Sequence, residues 1–192
     1  DGRPDFRNRI EHPILVDMLI HTFDQARFLL GEKRAVSAYC QELNPPNSWY
    51  DHPAIALCTF SFEDGSVLSL RGSWTKCENT TSHGFWRVYC TDGTACWDGA
   101  ERVWVSRAQP VPSAGYFEEE GVREDIPLSY AGREDHVGCV EDMLSALNRG
   151  QTMMTDCRNN IHSLEMVYAC IRSAETGRKC FLSPDAEVTA EK

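Results

Sequence analysis

Three Asp-Gly pairs constrain the fold of this chain more than any other feature in it. Asp64-Gly65, Asp92-Gly93 and Asp98-Gly99 each separate short runs in which apolar and polar residues alternate. Glycine takes the backbone conformation of a tight hairpin turn without steric cost, and an aspartate beside it bonds to its own backbone. The alternating runs are Ala35–Leu43, Ala54–Phe62, Val67–Thr75, Phe85–Thr91, Thr94–Trp97 and Arg102–Ser106, and the period of two predicts a strand over each. Asn44-Pro45-Pro46-Asn47-Ser48 reads as a loop. Consecutive strands joined by such short turns form an antiparallel meander.

Helical periodicity flanks this meander on both sides. Ile14, Leu15, Met18, Leu19, Phe23, Ala26, Leu29 and Leu30 recur at helical spacing, so Ile14–Leu30 is expected to be a helix that stops at Gly31. After the strands come Arg133–Arg149, ending before Gly150, and Asp156–Thr176, ending before Gly177, with Asp156 as the expected N-cap. Residues 108–131, with Pro110, Pro112, Pro127 and the acidic run Glu118–Glu120, read as a long surface excursion. The expected organisation is an irregular lead-in over 1–13, an α+β domain over 14–183 and a polar, frayed tail over 184–192. Its fold class is α+β: an open, mostly antiparallel sheet of about six strands with helices on one face.

Composition excludes several partners. The 192 residues suffice for one domain with a core, and 42% apolar with 25% charged residues is an ordinary globular mix. A net charge of −10 with no Lys/Arg run offers no footprint for nucleic acid. The apolar runs are too short to cross a bilayer, and no secretory or lipidation signal is recognisable. Asp1 rather than Met at the start leaves room for sequence upstream. The nine cysteines are odd in number and include no C-x-x-C, which argues against a zinc site or a disulfide framework. Buried, reduced thiols in a cytoplasmic protein without a metal are expected instead. Asn79-Thr80-Thr81 is a formal glycosylation sequon and, without a secretory signal, is read as chance.

The first helix carries Asp17, His21 and Asp24 at i, i+4 and i+7, which places all three on one face. A carboxylate four residues from an imidazole can touch it and favour its charged form or one tautomer. A histidine poised in this way is a suitable acceptor for the hydroxyl proton lost when an alcohol is oxidised by hydride transfer. The same spacing also occurs on ordinary solvated helix faces, so the motif alone leaves both readings open.

The segment from Pro13 to Gly31, with its D-x-x-x-H-x-x-D pattern followed by an apolar turn and glycine, resembles the glucose–fructose oxidoreductase, inositol dehydrogenase and rhizopine-catabolism (Gfo/Idh/MocA) family. Phe60-Ser61-Phe62-Glu63-Asp64-Gly65 is similar to that family's strand and turn, and Gly72-Ser73-Trp74 to the end of its next strand. Ser163-Leu164-Glu165-Met166-Val167, continued by Ser173-Ala174-Glu175-Thr176-Gly177-Arg178-Lys179, is similar to its last helix and strand. The likeness runs over roughly residues 13–183.

The resemblance implies a two-domain protein. An N-terminal Rossmann domain would bind NAD or NADP, and a C-terminal α+β domain would supply much of the substrate pocket and pair subunits through its sheet. The family's catalytic lysine lies in a Glu-Lys-Pro motif of the first domain; neither that motif nor a G-x-G-x-x-G occurs here. This chain therefore matches the second half alone, and on its own it is expected to hold no cofactor and to be inactive. By the resemblance His21 exchanges the hydroxyl proton, Asp17 orients and tunes it, and Asp24 holds an acidic position of catalytic or structural use. The implied reaction is reversible hydride transfer between a sugar, polyol or cyclitol carbinol and a nicotinamide. Asn44, Trp74, His83 and Trp86 lie at strand ends or in loops and are further candidates for substrate binding, because sugar sites pair aromatic faces with polar groups. Sheet packing or a subunit interface would use the tryptophans equally well. The alternative function is a ligand-binding or dimerisation module without chemistry.

Overall fold

The computed structural model describes residues 6–75, 84–107, 122–129, 133 and 135–182. The chain divides into two compact units, Asp1–Cys77 with Cys139–Lys192, and Glu78–Gly138. The expected α+β character is present, with antiparallel strands throughout; they form two four-stranded sheets, where the sequence suggested about six strands in one.

In the first unit β1 (Ala35–Leu43), β2 (Ile55–Phe62) and β3 (Val67–Ser73) are consecutive antiparallel neighbours, and the short β8 (Cys180–Phe181) closes the other edge, giving the order β3-β2-β1-β8. The β2–β3 turn uses Gly65 at φ 86°, while Asp64 Oδ1 accepts from the Ser66 backbone N–H at 3.0 Å and its hydroxyl at 2.7 Å. Those hydrogen bonds hold the Asp64 carboxyl below the usual carboxylate range.

A 3-10 turn, Phe6–Arg9, precedes a π-helical turn, Ile14–Leu19, which runs into α1 (Ile20–Leu29). The sequence predicts one continuous α-helix here. The wider π turn has more than four residues per turn, and it accompanies the burial of Ile14, Leu15 and Leu19. α3 (Cys157–Thr176) begins as expected: the Asp156 side chain accepts from the Arg158 N–H, and Gly177 ends the helix in a left-handed conformation at φ 67°.

The core lies between these helices and the inward faces of β1 and β2. Ala38 and Cys40 of β1 and Ala56, Cys58, Phe60 and Phe62 of β2 meet Ile14, Leu15, Leu19 and Phe23 from one side and Met166, Val167, Ala169 and Cys170 from the other. Phe23 and Phe60 pack edge to face at 4.9 Å. Each such fully buried large side chain contributes roughly 1.5–3 kcal/mol relative to exposure. Gly72 of β3 permits a close approach here, since a Cβ on it would fall 2.7 Å from Leu19 Cδ2.

In the second unit β4 (Trp86–Cys90), β5 (Gly93–Trp97), β6 (Val103–Arg107) and β7 (Arg123–Ile126) follow one another in order. β7 lies within 108–131, which the sequence reads as a long surface excursion without a strand. Its sequence, Arg123-Glu124-Asp125-Ile126, has no apolar alternation, yet it pairs with β6 from Ser106↔Arg123 to Val103↔Ile126. A charged strand is suited to a sheet edge, because it discourages further pairing. The Glu118–Glu120 run and the 184–192 tail lie outside the described residues. α2 (Asp135–Arg149) buries Ala146 alone among its described residues. No described helix is long and apolar enough to cross a membrane.

Candidate functional site

Asp17 sits in the π turn and His21 in the first turn of α1. The Asp17 carboxylate is directed at Arg7: Arg7 Nε donates to Asp17 Oδ2 at 2.8 Å. Arg7 and Asp17 remain 34% and 26% exposed, so this ion pair contributes about 1 kcal/mol or less, and its consequence is positional. His21 is exposed.

Arg7 also connects two of the proposed substrate residues to Asp17. Its guanidinium carbon lies 4.5 Å from the Phe6 ring centroid and 5.9 Å from that of Trp74. Trp74 packs on Tyr50 at 5.1 Å, and the Tyr50 carbonyl accepts from Asn44 Nδ2 at 2.8 Å. Asp17, Trp74 and Asn44 thus belong to one connected set through Arg7 and Tyr50, neither of which the sequence singled out. Arg7 escaped notice because it lies ten residues before Asp17, in a segment without periodicity.

Asp24 joins a different network. Its Oδ1 accepts from Ser163 Oγ at 2.7 Å and stands 3.7 Å from Arg27 Nη1. Arg27 is buried, donating to Ser163 Oγ at 2.9 Å, the Asn159 carbonyl at 3.2 Å and Glu32 at 3.1 Å, with a further bond to the Asn159 side chain. The network ties α1 to α3. Arg27, Glu32, Asn159 and His162 also line a charged cleft of about 500 Å³ that includes neither Asp17 nor His21. Trp86 belongs to the second unit, opposite Trp97 in the β4–β5 register. His83, the sequon and Cys77 lie outside the described residues.

Two further clusters were not legible in the sequence. His12 Nδ1 lies 2.5 Å from Glu42 Oε2, and its Nε2 lies 3.7 Å from Glu175. Burial pushes the Glu42 carboxyl up although His12 draws it back, and Glu42 Oε1 is buried without a hydrogen-bond partner. Separately, Cys40, Cys58 and Cys170 are all buried, with their sulfurs within 4.8 Å of one another. The spacing argument against a metal site did not anticipate this group, because the three come together only through tertiary packing.

A dinucleotide is ordinarily cradled where a glycine-rich turn opens a helix. α1 continues directly from the π turn, and Asp156 caps the start of α3 with its own carboxylate. The described helix starts of the first unit therefore do not fit a nicotinamide dinucleotide.

Residues 6–182 match the model of the oxidoreductase family's C-terminal alpha/beta domain. An uncharacterised protein of Sinorhizobium fredii, y4oX, is 23% identical over 175 residues, covering 90% of this chain and 48% of that protein. An oxidoreductase from Agrobacterium radiobacter, solved with NAD+, L-tartaric acid and magnesium, superposes with a TM-score of 0.70 at 22% identity, over 90% of this chain and 50% of that one. A levoglucosan dehydrogenase solved with NADH and L-sorbose gives 0.73 at 14% identity, over 95% and 54%. The chain spans about half the length of each of these relatives. It belongs to the Gfo/Idh/MocA oxidoreductase family and carries the C-terminal alpha/beta domain of that family.

Proposed function

We propose that the protein carrying this chain is an NAD(P)-dependent oxidoreductase acting on a sugar, polyol or cyclitol carbinol, and that this chain supplies the substrate side of its active site. The observation that carries the reading is the Asp17 carboxylate, fixed by Arg7, one helical turn before an exposed His21. The ligands named with two solved relatives, L-tartaric acid with NAD+ and L-sorbose with NADH, support the substrate and cofactor class.

His21 accepts the carbinol proton during oxidation and returns it during reduction. Asp17 gives the resulting imidazolium a counter-charge, and Arg7 keeps that carboxylate in place. Trp74 offers an aromatic face and Asn44 an amide to the sugar. A nicotinamide, when bound, supplies the hydride acceptor or donor. Its binding residues, and a lysine to share the substrate oxygen, come from outside this chain.

The test is a screen of the parent protein with NAD+ or NADP+ against aldoses, polyols and cyclitols, following the reduced nicotinamide. Reduction with at least one class is expected; none with any class contradicts the reading. By calorimetry this chain alone is expected to bind no NAD(P)H, and saturable binding would overturn the external cofactor site.

Pairing of two copies through the outer face of the first sheet accompanies this function. It is supported by Tyr39, Leu43 and Leu57, large side chains exposed there. Sedimentation of Leu57→Glu is expected to show monomer where the unaltered protein shows dimer. A cytoplasmic setting fits nine cysteines without a C-x-x-C.

A further inference from the structure

Cys40 and Cys58 are directly opposed on β1 and β2, with their sulfurs 3.6 Å apart. Cys170 reaches the same point from α3, and the three sulfurs lie within 4.8 Å of one another. Their exposures are 1%, 2% and 0%. The group is pinned from both sides: the Cys40 N–H donates to Ser173 Oγ at 2.9 Å, and Ser173 in turn donates to the Arg178 carbonyl at 2.6 Å.

We propose that Cys40, Cys58 and Cys170 form a buried binding site for a thiophilic three-coordinate ion, and that trivalent arsenic, supplied as arsenite, is the species it fits. A pyramidal centre about 2.3 Å from each of three sulfurs, with angles of about 100°, spaces them about 3.5 Å apart; Cys40 and Cys58 stand at 3.6 Å, and all three sulfurs lie within 4.8 Å of one another. Charge then chooses among the candidates. The trio belongs to the core cluster that includes Ala38, Phe60, Met166 and Ala169, with the buried Glu42 carboxyl, partnered by His12, next along β1, and such a core strongly disfavours added net charge. Three thiolates around a zinc ion leave one negative charge, and around monovalent copper they leave two.

Arsenite forms a neutral complex. Three As–O bonds and three S–H bonds break, three As–S bonds form, and each hydroxyl departs with a thiol proton as water. Arsenic remains trivalent throughout, so no oxidant is needed, and its lone pair takes the place of a fourth ligand.

The test incubates the reduced full chain with arsenite, zinc or monovalent copper. Native mass spectrometry is expected to show one arsenic gained and three hydrogens lost, and arsenic X-ray absorption three sulfur neighbours. The thermal midpoint is expected to rise, as for a ligand of the folded state. Cys170→Ala and, should that variant not fold, Cys58→Ala are expected to lose the adduct, whereas Cys157→Ser retains it. A lowered midpoint, fewer than three sulfur neighbours, an adduct surviving in Cys170→Ala, or retention of zinc or copper but not arsenic would each overturn the proposal.

Discussion

The two sheets begin from the same sequence signals and end in different environments. Both are antiparallel, both have four strands, and both use Asp-Gly pairs near their turns. In β2, buried and more exposed residues alternate along the strand, because α1 and α3 cover one face of that sheet. In β4–β7 Cys96 is the sole buried residue among those described. That second sheet keeps its register through its hydrogen-bond ladder, through Asp98 Oδ1 accepting from the Ala100 and Arg102 N–H groups, and through rings such as Phe85 and Trp104 at 5.9 Å. Turn chemistry decides which strands pair. What covers the sheet decides where stability and a precisely held site reside.

The largest test of this contrast is a pair of truncations. Phe60→Ala is expected to cost about 3–5 kcal/mol, because it opens a cavity between β2 and α1. Trp104→Ala, which removes a ring 4.2 Å from the Arg123 guanidinium, is expected to cost about 1 kcal/mol. Equal losses in denaturant unfolding would erase the distinction between the sheets.

Gly93→Ala comes next. Gly93 has φ 149°, and a Cβ there would fall 2.2 Å from the Ser106 carbonyl oxygen. A loss of about 1–3 kcal/mol, typical of overpacking, is expected. It should perturb the fluorescence of Trp86, Trp97 and Trp104 before that of Trp49 and Trp74, since the first three lie in the second unit. Simultaneous loss of all five signals would mean that the two units unfold together.

The smallest effect concerns the α3 cap. Hydrogen bonds from the Arg158 side chain and backbone hold Asp156 down to about 2, from an ordinary 3.8. A depressed folded-state value means that this contribution is complete above the ordinary value and fades as pH falls through the folded one. Asp156→Asn is expected to remove that acid-range step from the stability profile while leaving the profile above it parallel to that of the unaltered chain.

The sequence was most informative where the physics is local. The bounds of β1, the Asp156 cap and the Gly177 stop each follow from residues within a few positions, and all three appear as expected. β7 was hidden because its partner β6, rather than its own composition, makes it a strand. The π turn was hidden because apolar residues at helical spacing do not distinguish a slightly wider helix from an ordinary one. At the candidate site, the D-x-x-x-H spacing drew attention to Asp17 and His21. The partner that Asp17 actually takes, Arg7, and the meeting of Cys40, Cys58 and Cys170 depend on which surfaces pack together, which no spacing encodes.

The most direct measurement of the central claim is the turnover of His21→Ala in the parent protein, on whichever carbinol the unaltered enzyme oxidises. Removing the group that exchanges the hydroxyl proton is expected to lower kcat by about 10²–10⁴-fold, with the oligomeric state and thermal midpoint unchanged. Turnover near the unaltered rate would contradict the assignment of His21 as the proton-exchanging residue, and with it the account of this chain as the catalytic substrate side of an oxidoreductase.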